Sequence, residues 1–401
     1  MVLLVFEAII LDTWEKRILI IVTGLFWFAM YTYVPTMALY AQNLGASYDM
    51  VGIIIGSYGL TQLMLRIPIG IISDAWGARK LFVIAGITLA AASSFGMWLL
   101  PTVGALLFCR AIAGIAAATW VDYTVLYASY FSGSEAPKAI GFINAVNNLG
   151  QVAAMLAGGY AAELYGLSSP FLLGALAGSA GVILSLCVRE EQTKPKPVSL
   201  KGFIEAVRDR TLLKLSGLGV ILQIGTYVTV FGFLPLAAQR LGASHSELGL
   251  LTTITMGPSI VSSAMSGFFF SKRFGERATL VFGLFIVAVS CLIIPFAADL
   301  AVLYFSQAAG GFARGLVLPL LMGLSIKQFP GDKRSTAMGV FQALYGIGML
   351  GGPVIAGMLN NTFGLNAGFL VAGSIGLIGS GLAAWKRYLP FGKENFSRTN
   401  S

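Results

Sequence analysis

The sequence predicts an all-α membrane protein of twelve transmembrane helices, arranged as two six-helix bundles related by a pseudo-two-fold axis. Three observations carry this reading. The 401 residues are 57% hydrophobic and only 11% charged, where soluble chains carry about a quarter charged residues. Twelve apolar stretches reach the roughly 20 residues that a helix needs to cross about 30 Å of hydrocarbon. The chain also matches itself at a shift of 197 to 198 residues. Leu44-Gly45-Ala46-Ser47 recurs as Leu241-Gly242-Ala243-Ser244, Gly70 falls on Gly267 and Gly114 on Gly311. After one inserted residue, Gly141 falls on Gly339, Gly150 on Gly348 and Gly166 on Gly364. Duplicated hydrophobic modules of this kind meet at an interface near mid-membrane.

In chain order, residues 1–16 form an N-terminal segment, apolar at first and then charged from Asp12 to Arg17. It lacks the basic start and small-residue cleavage site of a signal peptide and is read as an interfacial or disordered start. Residues 17–188 hold the first six spans, near 17–41, 50–73, 80–100, 103–131, 137–162 and 168–188. Residues 189–211 are a charged linker, whose Phe203, Ile204 and Val207 stand at helical spacing for an amphipathic helix on the membrane surface. Residues 212–388 hold the second six, near 212–241, 246–271, 278–298, 301–329, 334–360 and 366–387, and residues 389–401 are a tail. The other loops are too short for a soluble catalytic domain.

Basic residues stay on the cytoplasmic side of short loops. Counting Arg66 at the cytoplasmic end of span two, all 26 Lys and Arg except Arg110, Arg240 and Arg314 fall on one side. Both termini are therefore expected in the cytoplasm, in a multi-pass protein of the cell membrane. The net charge of +9 is scattered over short loops, which argues for lipid headgroups and against nucleic acid. Cys109, Cys187 and Cys291 lie in predicted spans without metal-ligand spacing and read as buried thiols, with no cofactor or metal implied.

Small residues form an i, i+4, i+8 ridge on span five (Gly150, Ala154, Gly158) and another on span eleven (Gly348, Gly352, Ala356). Such ridges let helix backbones approach closely in lipid. Pro35, Pro235, Pro319 and Pro353 remove backbone donors and mark kinks.

After span two the chain reads Gly70-Ile71-Ile72-Ser73-Asp74-Ala75-Trp76-Gly77-Ala78-Arg79-Lys80. With twelve spans, two halves and a central linker, this resembles the loop 2–3 signature of the major facilitator superfamily, over essentially the whole chain. The resemblance implies that family's fold and a conformational latch built from Gly70, Asp74, Gly77, Arg79 and Lys80. In it, Asp74 would contact the start of the eleventh helix near Arg334-Ser335-Thr336 and steady the outward-facing state. The second-half copy, Gly267 to Arg277, carries an extra residue and offers Ser271 or Lys272 in place of the aspartate, so the latch should be asymmetric. Arg110-Ala111-Ile112-Ala113-Gly114 resembles the fourth-helix element of proton-coupled members, with Ala113 where Gln is usual. Gly150 to Gly159 resembles the fifth-helix antiporter motif with Ala154-Met155 for its Gly-Pro; Gly348 to Pro353 in span eleven is a closer match.

A charge in the bilayer centre costs about 2.5–3.5 kcal/mol on insertion scales and is a functional candidate by default. Of 17 carboxylates, 16 fall in or beside loops, and Asp122 alone reads as buried, on the cytoplasmic side of the middle of its span. It reads either as a proton carrier, with Arg110 as the other coupling candidate, or as an acid paired with a neighbouring helix. The two are about 18 Å apart along the axis and are not expected to pair directly. Arg110 and Arg314 can fork onto a carboxylate or phosphate, or merely order their helices.

Uncharged candidates for a substrate cavity stand at helical spacing. They are Trp27 and Tyr31 on span one, Tyr58 and Gln62 on span two, Asn144, Asn148 and Gln151 on span five, and Gln223 and Tyr227 on span seven. The repeat places Gln342 over Asn144 and Tyr345 over Asn147 on span eleven. Together they suit a partly apolar small molecule; singly each serves equally as packing, as do Trp120 and Tyr123. His245, the one histidine, reads as a solvated loop residue.

Hydrolase, zinc-protease and nucleotide-binding motifs are missing from the sequence, so an enzyme or an ATP-driven pump is not expected. The resemblance implies a monomeric secondary transporter working by alternating access. The leading expectation is proton-coupled antiport, with efflux of a small amphiphilic organic compound and protons or another ion as the coupling partner. The alternative is an organic-anion transporter or facilitator using the buried arginines; a non-transporting receptor or scaffold ranks last.

Overall fold

The computed structural model describes residues 13–132, 135–190, 207–327, 329–330 and 334–389. All regular structure among them is helical. Span one is Trp14–Tyr31 continued, after a turn, by Met37–Asn43; span two is Tyr48–Trp76 and span three Arg79–Leu99. Span four is Val103–Ala118 and, past a break at Thr119, Trp120–Ser129; span five is Ala136–Tyr165 and span six Ser169–Leu186. Span seven runs Arg210–Val228, a π turn Thr229–Phe233 and Leu234–Arg240. Span eight is His245–Met265, a π turn Ser266–Phe270 and Ser271–Phe274. Spans nine to twelve are Glu276–Ile293, Leu300–Lys327, Arg334–Phe363 and Asn366–Ala384. Eleven of the twelve are long and apolar enough to cross a membrane. The first opens on Glu15-Lys16-Arg17 and is divided by its turn. Of the expected linker helix only Val207 is described; Phe203 and Ile204, like the apolar start Met1 to Leu11, lie outside the described residues.

The duplication is written in the backbone. Among the described residues, six glycines have positive φ and fall into three repeat pairs: Gly45 with Gly242, Gly77 with Gly275, and Gly166 with Gly364. Each ends a helix in a conformation that a Cβ disfavours. The turn Thr32–Thr36 in span one coincides under the repeat with the π turn Thr229–Phe233 in span seven, so Pro35 and Pro235 do mark breaks. The π turn Ser266–Phe270 sits where the second-half copy of the loop 2–3 signature has its extra residue. One residue inserted into a helix is accommodated as one wide turn.

Both small-residue ridges pack within their own half. A Cβ on Gly158 would be driven into the Thr32 carbonyl and one on Gly150 would lie 3.0 Å from the Gly24 carbonyl, so the span-five ridge lies on span one. Gly348 and Gly352 lie against Val220, Gln223 and Ile224, so the span-eleven ridge lies on span seven. Gly114 and Gly311, repeat partners, pack spans four and ten against the backbones of spans two and eight at Tyr58 and Thr255. Gly311→Ala is therefore expected to destabilise by about 1–3 kcal/mol through overpacking. Gly351→Ala, whose Cβ meets nothing within 4 Å, should be neutral, and thermal unfolding of the purified variants measures the difference.

The halves meet along span two with span eleven and span five with span eight. Among the described residues, the bonds, ring pairs and close glycine approaches that join them fall between residues 31–66 and 155–163 of one half and 227–249 and 345–357 of the other. Gly52 faces the Pro353 carbonyl, Gly59 lies 2.8 Å (as a Cβ) from the Met349 backbone, and Gly159 meets Gly249 at 2.8 Å. Glu163 accepts from the His245 and Ser246 amides at 2.8 and 3.3 Å, and Arg240 donates to the Tyr48 hydroxyl at 2.8 Å. His245 is thus the first residue of span eight, tied across the interface, and not a free loop residue. At the other end, which carries loop 2–3, the second half has a hydrophobic core of its own around Leu215, Leu284, Leu321 and Phe341. Among the described residues, bonds between the halves cluster toward the loop 1–2 end, and none joins them at the loop 2–3 corner.

Candidate functional site

Stripes of side chains from four spans converge at the interface. On span two, Tyr58, Gln62 and Arg66 follow at i, i+4, i+8, and on span seven Gln223, Tyr227 and Phe231 do the same, so each set lies on one helix face. Tyr58 stacks on Tyr227 across the halves with ring centroids 6.4 Å apart, and Tyr227 packs on Phe231 at 4.6 Å. Tyr31 meets Phe231 edge-on at 5.8 Å, also across the halves. Trp27 joins Tyr31 at 5.6 Å to Trp120 at 5.2 Å, with its indole nitrogen buried and unpartnered. Tyr31, Tyr58, Gln62, Gln223 and Tyr227 are buried; toward the loop 2–3 end Arg66, Asn144, Asn148, Gln342 and Tyr345 are partly exposed. The ring cluster is thus more deeply buried than the polar side chains on its loop 2–3 side.

Arg110 stands against this cluster and is 2% exposed. Its guanidinium lies 4.4 Å from the Tyr58 ring centre and 5.6 Å from that of Tyr33, and donates to the Tyr33 hydroxyl at 3.2 Å. No described carboxylate pairs with it. Ring faces attract a desolvated cation, and they are its partners here.

Asp122 and Arg110 have separate partners, as their distance along span four leads one to expect. Asp122 is fully buried, past the break at Thr119, and faces the loop 2–3 corner. It accepts a hydrogen bond from Ser73 and lies 3.4 Å from the Arg79 guanidinium, whose other terminal nitrogen pairs with Asp74. Two acids from spans two and four thus share one arginine from span three, within one half. Glu190, at the linker's start, accepts from the Arg79 and Lys80 amides at 2.7 and 2.9 Å, and Lys80 donates to the Leu186 carbonyl at 2.9 Å. Gly77 makes the turn at φ 59°, while a Cβ on Gly70 would meet nothing within 4 Å. Among the described residues Asp74 pairs with Arg79, and no bond from it to the start of span eleven is seen. The Ser73 and Glu190 contributions were not legible in the sequence, since neither residue stands out before the corner is folded.

Arg314 also departs from expectation. It does not reach the ring cluster: the side chain lies inside the second half beside Gly310 and Cys291, its two terminal nitrogens without partners. The repeat partner of Arg110 is Gln307, which donates to the Ser290 carbonyl at 3.0 Å. On span five Gln151 is buried and donates to Asn147, while Asn144 folds back onto the Ile140 carbonyl at 2.8 Å. Tyr345 accepts from Arg66 at 3.5 Å, and Pro353 lies inside its helix against Gly52. Arg66, assigned from the sequence to the cytoplasmic margin, is a residue of the interface instead. Cys109 and Cys291 are buried, but Cys187 ends span six and is exposed.

Two six-helix halves meeting along a shared interface are the architecture of a membrane transporter. The sequence matches the family model of the Major Facilitator Superfamily over residues 19–236 and 215–400, and the chain belongs to that family. It is similar to an uncharacterized MFS-type transporter of Methanocaldococcus jannaschii, 25% identical over 82% of this chain and 87% of that one. It is also similar to the multi-drug resistance efflux pump PmrA of Streptococcus pneumoniae, 25% identical over 84% of this chain and 86% of that one. The crystal structure of a mutant of the nucleoside transporter NupG shares the fold, with a TM-score of 0.77 and 17% identity over 92% of this chain and 99% of that one. The protein is a multi-pass membrane transporter and not an enzyme.

Proposed function

We propose that this transporter exports a small amphiphilic organic compound by alternating access, driven by protons, and that the compound binds on the ring cluster beside Arg110. The observation that carries the reading is the meeting of Tyr31 and Tyr58 with Phe231 and Tyr227, one pair from each half. A ligand held there touches both halves, so its binding energy differs between the two closures, which is what couples binding to rocking. The similarity to PmrA supports export. With basic loops in the cytoplasm, both termini are cytoplasmic and the conformation is inward-facing. Asp122 serves coupling through the latch: a proton on Asp122 removes one of the two charges that hold Arg79, and the corner can then rearrange. Proteoliposomes with an imposed pH gradient and an internal pH dye test this against a panel of amphiphilic dyes and drugs. At least one compound should dissipate the gradient with the wild type and not with Tyr227→Ala. Silence across the panel sinks proton coupling.

A further inference from the structure

The mouth of the ring cluster carries a second cation. Arg66 continues the stripe of Tyr58 and Gln62 and donates to Tyr345 of the other half at 3.5 Å. Its Nε is buried without a partner, as is that of Arg110. Arg66 stands ten residues before the end of its helix at Trp76, about 15 Å along the axis, so it is not placed to reach the loop 2–3 corner. Arg110 lies over the Tyr58 ring, Tyr58 stacks on Tyr227, and Arg66 stands two helical turns from Tyr58 on the same face of span two.

Neither arginine has a described carboxylate in salt-bridge distance. The one buried acid among the described residues, Asp122, is held by Ser73 and Arg79 at the corner. Two cations at one aromatic floor, with no acid to balance them, leave a place for negative charge. A guanidinium remains ionised and forks onto carboxylates, and in a low-dielectric site a pair of opposite charges is attracted far more strongly than in water.

We infer that Arg66 and Arg110 form a two-cation subsite and that the transported compound is an aromatic organic anion, its anionic groups on the guanidiniums and its ring among Tyr31, Tyr58 and Tyr227. This rests on the ring cluster being the substrate site. It replaces the sequence-level pair of Arg110 with Arg314, since Arg314 lies elsewhere.

Calorimetric titration of the purified full-length protein tests it with four probes that share one ring system: naphthalene-2,6-dicarboxylate, 2-naphthoate, 2-naphthamide and 2-naphthylmethylammonium. Affinity should fall in that order. Arg66→Gln and Arg110→Gln should each weaken the dicarboxylate about tenfold or more, Arg66→Lys less, and Arg314→Gln not at all. The charge series on the wild type stands even if a glutamine variant proves unstable. Equal or tighter binding of the amide or the amine, wild-type affinity in a folded Arg66→Gln protein, or no binding of either carboxylate would each overturn the inference. Flux assays separate it from the transport reading. If the carboxylates bind as stated yet none of the probes crosses a proteoliposome membrane, transport by this site fails and the subsite stands. If Arg66→Gln moves a neutral or cationic compound at the wild-type rate, the subsite fails and transport stands.

Discussion

Asp122→Asn is expected to abolish gradient-driven transport, lowering it at least about tenfold, while substrate affinity stays within about twofold. The asparagine keeps the shape and can still accept from Ser73, but it carries no charge for Arg79 and cannot exchange a proton. Arg79 would then be left with Asp74 alone, which is 38% exposed where Asp122 is buried, and exposed pairs are worth only about 0–1 kcal/mol. Arg79→Gln is the sharper perturbation, because it strands a buried carboxylate with one hydroxyl. Removing one partner of a buried pair costs about 3–5 kcal/mol unless the acid takes up a proton. The two variants therefore predict opposite stabilities with the same transport defect: near wild type for Asp122→Asn, clearly lower for Arg79→Gln. Proteoliposome flux with and without a pH gradient, thermal unfolding and equilibrium binding of the same compound decide it. Full gradient-driven transport by Asp122→Asn would reduce Asp122 to a structural acid.

The fold was legible because it rests on signals that survive without tertiary knowledge. Apolar length gives spans, the repeat gives two halves, and Gly45, Gly77 and Gly166 with their partners mark the helix ends that the backbone then shows. Tyr58 and Tyr227 were legible as interface residues because each lies one turn from an amide on an otherwise apolar helix. What sequence cannot give is which way a long side chain turns. Arg314 and Arg66 are both arginines within helices, and the residue assigned to the site points into its own half while the one assigned to the membrane margin faces the other half. Asp122 lies past the break at Thr119, which separates it from Arg110's setting, and Ser73 and Glu190 find the corner only through the fold. Charge and depth can be read from a sequence; azimuth past a helix break cannot.

Leucine at Gly52 and Gly159 together is expected to stop turnover while leaving each half folded. These glycines differ from Gly311 and Gly158 in what they touch. Gly158 and Gly311 meet backbone of their own half, so enlarging them acts on every conformation alike and appears as lost stability. Gly52 faces the Pro353 carbonyl and Gly159 faces Gly249 and the His245 carbonyl, both across the interface. A side chain there penalises only the state closed at the loop 1–2 end. Overpacking costs about 1–3 kcal/mol per site, and two sites on separate helix pairs act nearly independently. Together they shift the conformational equilibrium by a factor of about 30 to 3 × 10⁴. A cysteine pair reports the closure directly, with Glu163→Cys and Ser246→Cys placed where the carboxylate now reaches the Ser246 amide at 3.3 Å and the native cysteines replaced. The pair should cross-link readily in an otherwise unaltered interface and fail to do so once leucine stands at residues 52 and 159. Rapid cross-linking in that background would mean that the halves are joined by something other than these two glycine contacts.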